Sequence, residues 1–202
     1  MKSGFIAESR LVIVPATADR WNDLEHLFGK YGASARCWCM FWRLSFKEFN
    51  AIKGEGTRAA LKALTSKDVA PGLLAYLNGE PVGWCSLGPR EDFRGLERSR
   101  TLKRVDDQPV WSIVCFFIKR GFRRKGMMAA LLKGAVAYAA KHGAKIVEGY
   151  PVDLQSHLLA GRKLTGFSGF MGIASVYRAA GFKKVADASE TQLVMRYSIS
   201  QT

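Results

Sequence analysis

From Val110 to Val152 the chain spells out an apolar strand, a helix opened by a glycine, and a second apolar strand. Two strands joined by a helix of that length lie parallel in one sheet, and such a crossover is right-handed in nearly every protein. The first strand, "PVWSIVCFFIKR", is apolar at both parities, so it belongs inside a sheet covered on both faces. The helix, "GMMAALLKGAVAYAAKHG", has its stripe at Met127, Met128, Leu131, Leu132, Ala135, Val136 and Ala139, and Gly143 ends it. The second strand is "AKIVEGYPVD". A β-α-β unit needs layers of helix on sheet, which sets the fold class as α/β.

The remaining segments extend these layers. "GLLAYLNGEPVGWCSLGPR" is two apolar runs joined by Asn78-Gly79, a strong signal for a tight β-hairpin. Phe5 to Val14 reads as a first strand stopped by Pro15. Thr17 can cap a helix whose apolar face is Trp21, Leu24, Leu27 and Phe28, with Gly29 and Gly32 ending it. "ASARCWCMFWRLSF" is aromatic and irregular, and "GEGTRAALKALTSKD" is a short helix. Arg90 to Asp107 is charged and poor in apolar residues, so it reads as a long surface connection with a helical turn near Leu96. "LQSHLLAGRKLTGFSGF" reads as a loop, and "MGIASVYRAAGF" as a short helix ended by Gly181. Two strands, "FKKVADAS" and "TQLVMRYSI", close the chain. No internal repeat is present, and 202 residues suit one domain over 1–202.

The formal net charge of +14 and pI near 9.9 call for anionic partners: nucleic acid, a membrane surface, or a phosphorylated ligand. The first residues show no apolar run followed by a small-residue cleavage site, so no signal peptide or membrane span is expected. Cys37, Cys39, Cys85 and Cys115 do not form a disulfide framework, and the expected compartment is the cytoplasm.

The charge is most concentrated at "KRGFRRK", where five of the seven residues Lys119–Lys125 are basic. Cations at a helix start oppose the helix dipole, so an anion belongs between them. The first turn of a helix leaves its N–H groups unpaired and aimed at whatever stands in front. A phosphate there would be held by those amides and the flanking cations, and Gly126 places no side chain in its way. The string lacks the Gly-Lys-Ser/Thr of a P-loop and the three spaced glycines of a dinucleotide fold.

"RRKGMM", Arg123 to Met128, resembles the pyrophosphate signature [Q/R]-x-x-G-x-[G/A] of the Gcn5-related N-acetyltransferase (GNAT) superfamily. Downstream, "SVYRAAGF" is similar to that family's helix with a Tyr followed by Gly-Phe, here Tyr177, Gly181 and Phe182. The resemblance runs from about Gly72 to Tyr197. Met128 replaces the signature's final Gly or Ala, and Phe170 stands where the family often has Asn. It implies a mixed, mostly antiparallel sheet flanked by helices, with a splayed parallel strand pair holding acetyl-CoA as co-substrate. The pantetheine arm would pair with backbone near Phe116, Phe117 and Ile118. The pyrophosphate would rest on the amides of Arg124, Lys125, Gly126, Met127 and Met128, with charge from Arg123, Arg124 and Lys125. Tyr177 matches the general acid by position.

Glu148 is a candidate base, because it stands in an otherwise apolar strand where desolvation raises a carboxyl pKa; Asp153 is the alternative. "CWCMFWR" offers Trp38, Phe41 and Trp42 as an acceptor-pocket wall, with core packing as the bland alternative. Cys37-x-Cys39 supplies only two thiolates, too few for a zinc site, and no metal is expected. Cys115 or Cys85 as an acyl carrier lacks an evident His base in sequence. The expected acceptor is a small-molecule or peptide amine, with no nucleic acid and no membrane, and a homodimer is left open. The rival readings are a basic nucleic-acid-binding protein, resting on the charge and on "REDFRGLERSRTLKR", and a non-catalytic acyl-CoA-binding module.

Overall fold

The computed structural model describes residues 10–159 and 169–200. In chain order the strands are β1 (Leu11–Pro15), β2 (Gly72–Leu77), β3 (Glu80–Pro89), β4 (Trp111–Ile118), β5 (Ile146–Gly149), β6 (Lys183–Ser189) and β7 (Gln192–Ser198). The α-helices are α1 (Trp21–Phe28), α2 (Phe46–Ile52), α3 (Glu55–Thr65), α4 (Arg94–Glu97), α5 (Met127–Lys141) and α6 (Ala174–Ala179). The strands form one sheet in the order β1-β2-β3-β4-β5-β7-β6, and only β4 and β5 run parallel.

Strand alternation divides the core. Leu73, Ala75 and Cys85 face α5 and α6, where they pack with Leu131, Leu132, Ala135 and Ala139. Leu74 and Trp84 face the other way, against Trp21, Leu24, Phe28, Trp38 and Leu61 of the α1–α3 layer. The β2–β3 hairpin turns at Asn78 (φ 52°) and Gly79 (φ 84°), the paired left-handed conformation a two-residue turn requires.

Several expectations need correction. The connection from Arg90 to Asp107 is not a surface tether: Phe93, Leu96 and Leu102 are buried with Val114, Tyr150, Met171 and Val194 in a third core. Its apolar residues are sparse because they cover only one end of the sheet, so the segment shows no helical or strand period. Its cations also have partners within the fold: Arg90 and Arg104 pair with Glu97, and Arg94 with Glu48. Thr17 makes no capping bond; a single 3-10 turn, Ala18–Arg20, leads into α1. Helix α2 follows an aromatic tract without a helical period, and Ser45 and Glu48 close a reciprocal capping box at its start. β1 begins at Leu11, and the first residues of the expected strand lie outside the described residues, as does most of the loop before α6. Among the described residues no helix is long and apolar enough to cross a membrane.

Candidate active site

The parallel pair sets the geometry. β4 and β5 are in register only from Trp111–Val147 to Ile113–Gly149, and beyond that the two strands part. Lys119 N–H bonds to Val82 O at 2.9 Å, so by alternation Phe117 also turns its backbone toward β3. Phe116 and Ile118 therefore turn theirs into the gap. Of the three residues expected to offer backbone to a pantetheine arm, Phe117 does not; its side chain instead meets Phe28 at 5.7 Å between ring centres. The Phe116 N–H donates to Phe170 O at 2.6 Å, and the Ile118 carbonyl accepts from Arg123 Nε at 2.9 Å.

At the mouth of the gap the chain passes through a 3-10 turn, Arg120–Phe122, and then two left-handed residues, Arg124 (φ 61°) and Gly126 (φ 77°). α5 starts at Met127, directly after the glycine that opens its segment in the sequence, and no side chain caps it. The first bond closing onto this end is Ala130 N–H to Gly126 O at 3.1 Å. The amides of Met127, Met128 and Ala129 thus lack carbonyl partners within the helix and point out past Gly126. A Cβ on Gly126 would meet nothing within 4 Å, so the space in front of these amides is open.

Arg120, Arg123, Arg124 and Lys125 are exposed around that space. Among the described residues none of the four pairs with a carboxylate, whereas Lys119 pairs with Glu80 at 2.5 Å. Met128 turns its side chain toward the main core. The arrangement is chemically suited to a polyphosphate: oriented amides, a helix dipole and four uncompensated cations.

Tyr177 sits at the base of the gap and is fully buried. Its hydroxyl donates to Met171 O at 3.2 Å, and its ring meets Phe182 and Phe116 edge-on at 4.9 and 6.3 Å. Glycines make room for the ring. A Cβ on Gly172 would lie 2.6 Å from it, and one on Gly149 would overlap it outright. Burial pushes the phenol pKa well above its usual value, so the group stays protonated through the physiological range.

Glu148 lies on the opposite face of β5, and its surroundings differ from the apolar stretch expected. Its Oε1 accepts from Arg90 Nη1 at 3.0 Å and from the Tyr150 hydroxyl at 2.7 Å, and its Oε2 accepts from Arg196 Nε at 2.7 Å. Arg90 also donates to Tyr150 at 2.8 Å, to Glu97 at 2.6 Å and to Leu102 O at 2.6 Å. Arg196 reaches Asp106 at 2.6 and 3.0 Å. Tyr150 and Arg90 were not identified from the sequence; the one available signal was a lone carboxylate inside an apolar strand, which demands a cation from elsewhere. Asp153, the alternative base, pairs with Arg178 at 3.1 Å.

The "CWCMFWR" segment divides by burial. Trp38 is 3% exposed, stacked with Trp21 at 6.0 Å and packed on Phe28 at 5.6 Å, with Gly32 directly on its ring. Phe41 is exposed and stands edge-on to the half-buried Trp42 at 5.0 Å. Cys39 and Cys115 bring their sulfurs to 3.7 Å, and Trp84 Nε1 donates to Cys39 at 3.0 Å. The Cys115 contact and burial push the Cys39 pKa up, and burial alone raises that of Cys85; Cys85, one of the two cysteines weighed as an acyl carrier, stays a thiol and is a poor nucleophile.

A sequence model of the acetyltransferase (GNAT) family matches residues 38–166. No curated protein matches the chain in sequence. Solved structures do match in fold. The PaiA N-acetyltransferase of Thermoplasma acidophilum, solved with coenzyme A, is 13% identical with a TM-score of 0.52, over 94% of this chain and 99% of that one. A GNAT-family acetyltransferase of Listeria monocytogenes gives 9% and 0.54, over 94% and 95%. An aminoglycoside N-acetyltransferase in complex with CoA gives 14% and 0.51, over 90% and 93%. With the splayed strand pair, the phosphate-ready turn and the family match over most of its length, the chain belongs to the GNAT family of acetyl-CoA-dependent N-acetyltransferases.

Proposed function

We propose that the protein moves an acetyl group from acetyl-CoA directly onto a primary amine of a small-molecule or peptide acceptor. The observation that carries this reading is the uncapped start of α5 behind left-handed Arg124 and Gly126, ringed at the mouth of the β4–β5 gap by cations that pair with no carboxylate among the described residues. In this reading the amides from Arg124 to Met128 hold the pyrophosphate. Arg123, Arg124 and Lys125 neutralise it, and Arg123 also fixes the Ile118 carbonyl at the cleft edge. The pantetheine arm follows the backbone of Phe116 and Ile118.

The neutral amine attacks the thioester carbonyl carbon. A C–N bond forms and the oxygen takes the negative charge; the nitrogen then gives its surplus proton to solvent, the C=O re-forms and the C–S bond breaks. Tyr177, buried and protonated, is the candidate donor to the departing sulfur. A base must present a free lone pair to the amine. Both oxygens of Glu148 are engaged, which supports a positioning role for it through Arg90 and Tyr150. Phe41 and Trp42 are the rings of "CWCMFWR" still available to an acceptor, while Trp38 supports them from the core.

Thiol release from acetyl-CoA across a library of amines tests the activity, with thermal shift by CoA as a binding control. Release with at least one amine class is expected; no release and no shift would sink the reading. Tyr177→Phe should lower kcat by about 100-fold without raising the Kd for acetyl-CoA. A change in melting temperature with kcat intact would mark Tyr177 as a packing residue only.

A further inference from the structure

Two donors stand at the base of the gap, and both are already bonded to neighbouring carbonyls. Phe116 N–H donates to Phe170 O at 2.6 Å, and the Tyr177 hydroxyl donates to Met171 O at 3.2 Å. These carbonyls belong to one turn, closed by Gly172 N–H to Gly169 O at 3.0 Å. The turn is tied to the chain leaving β5 by Val152 N–H to Gly172 O at 2.9 Å, and Gln192 Nε2 lies 3.3 Å from Met171 Sδ. It enters the space that opens once β4 and β5 separate after Ile113 and Gly149.

A single N–H or O–H serves one acceptor at full strength. A thioester oxygen that seeks the Phe116 amide therefore meets another carbonyl oxygen in the same place. The exchange is chemically even, because one carbonyl replaces another on the same donor. The contact also has a reason of its own: a buried amide left unpaired is costly. We propose that the Gly169–Gly172 turn is an internal occupant of the acyl site, holding the cleft closed until the acyl group of acetyl-CoA displaces it. This rests on the N-acetyltransferase reading above and adds a gating step to that same site. If the closed form makes up nine tenths of the free protein, the apparent affinity for acetyl-CoA is about tenfold weaker than the intrinsic one.

Amide hydrogen exchange on the full chain tests it. Without ligand, the Phe116 and Gly172 amides should both be protected. At saturating acetyl-CoA, Phe116 should stay protected while Gly172 exchanges at least about tenfold faster. Gly172→Ala provides a second arm. Gly172 has φ 99°, and a Cβ there would lie 2.6 Å from the Tyr177 ring and 3.3 Å from Phe116, which forces the turn outward. The variant should melt at a lower temperature yet bind acetyl-CoA about tenfold more tightly. A merely structural turn would give lower stability with equal or weaker binding, and that outcome overturns the proposal. So does acetyl-CoA bound at saturation with Gly172 exchange unchanged, a result that decides even if the variant does not fold. If acetyl-CoA alters neither exchange nor melting in either protein, the acetyltransferase reading falls first, which is distinguishable from a loaded cleft with its turn intact.

Discussion

Replacing Arg90 with Ala should destabilise the protein by about 3–5 kcal/mol, the usual effect of breaking one side of a buried ion pair. At this chain length that lowers the melting temperature by about 10 °C. Arg90 is 1% exposed and Glu148 is fully buried. Arg90 joins Glu148, Tyr150, Glu97 and the Leu102 carbonyl, so it ties β5 to the buried connection between β3 and β4. Its loss would leave Glu148 with Arg196 and Tyr150 only, and would free the Leu102 carbonyl in a dry core. Chemical denaturation of Arg90→Ala, Glu148→Ala and the double variant measures the coupling. The double variant should lose at least about 1 kcal/mol less than the sum of the singles. A loss below about 1 kcal/mol for Arg90→Ala would show that water reaches the network and that the pair contributes little.

Arg124→Glu should raise the KM for acetyl-CoA by about 10- to 100-fold and leave the KM for the amine within about twofold, since one charge-assisted contact contributes about 1.5–3 kcal/mol. Arg124→Gly separates charge from conformation. Arg124 is held at φ 61°, a left-handed geometry that disfavours a side chain by about 1–2 kcal/mol. Glycine relieves that strain, so the variant should be as stable as the parent or more so, while its KM for acetyl-CoA rises about tenfold. Residues kept in such conformations at the expense of stability concentrate at ligand sites. Steady-state kinetics with a thermal melt on each variant checks both signs. An Arg124→Gly protein that gains stability and keeps its KM would remove Arg124 from the phosphate site.

The contrast between these two sites shows how far the sequence reads. The hairpin at Asn78-Gly79, the β4–α5–β5 crossover and the cationic turn at Gly126 are all visible as strings, because turn chemistry and periodicity act within about a dozen neighbouring residues. α2 is not legible as a string although its capping box is local, because the aromatic tract before it hides the pattern.

The partners of Glu148 are of another kind. Arg90 lies 58 residues before it and Arg196 lies 48 after it. They meet only because β5 is flanked by β4 and β7 and roofed by the connection that carries Arg90. Phe170 reaches the Phe116 amide, and Trp38 goes to the core while Phe41 stays outside, for the same reason. Local composition selects elements and marks where an anion belongs. Which buried charge finds which counter-charge, and which carbonyl fills the gap between parted strands, follows from the packing of distant segments, because desolvation makes an unpaired group costly only once the fold has taken water away.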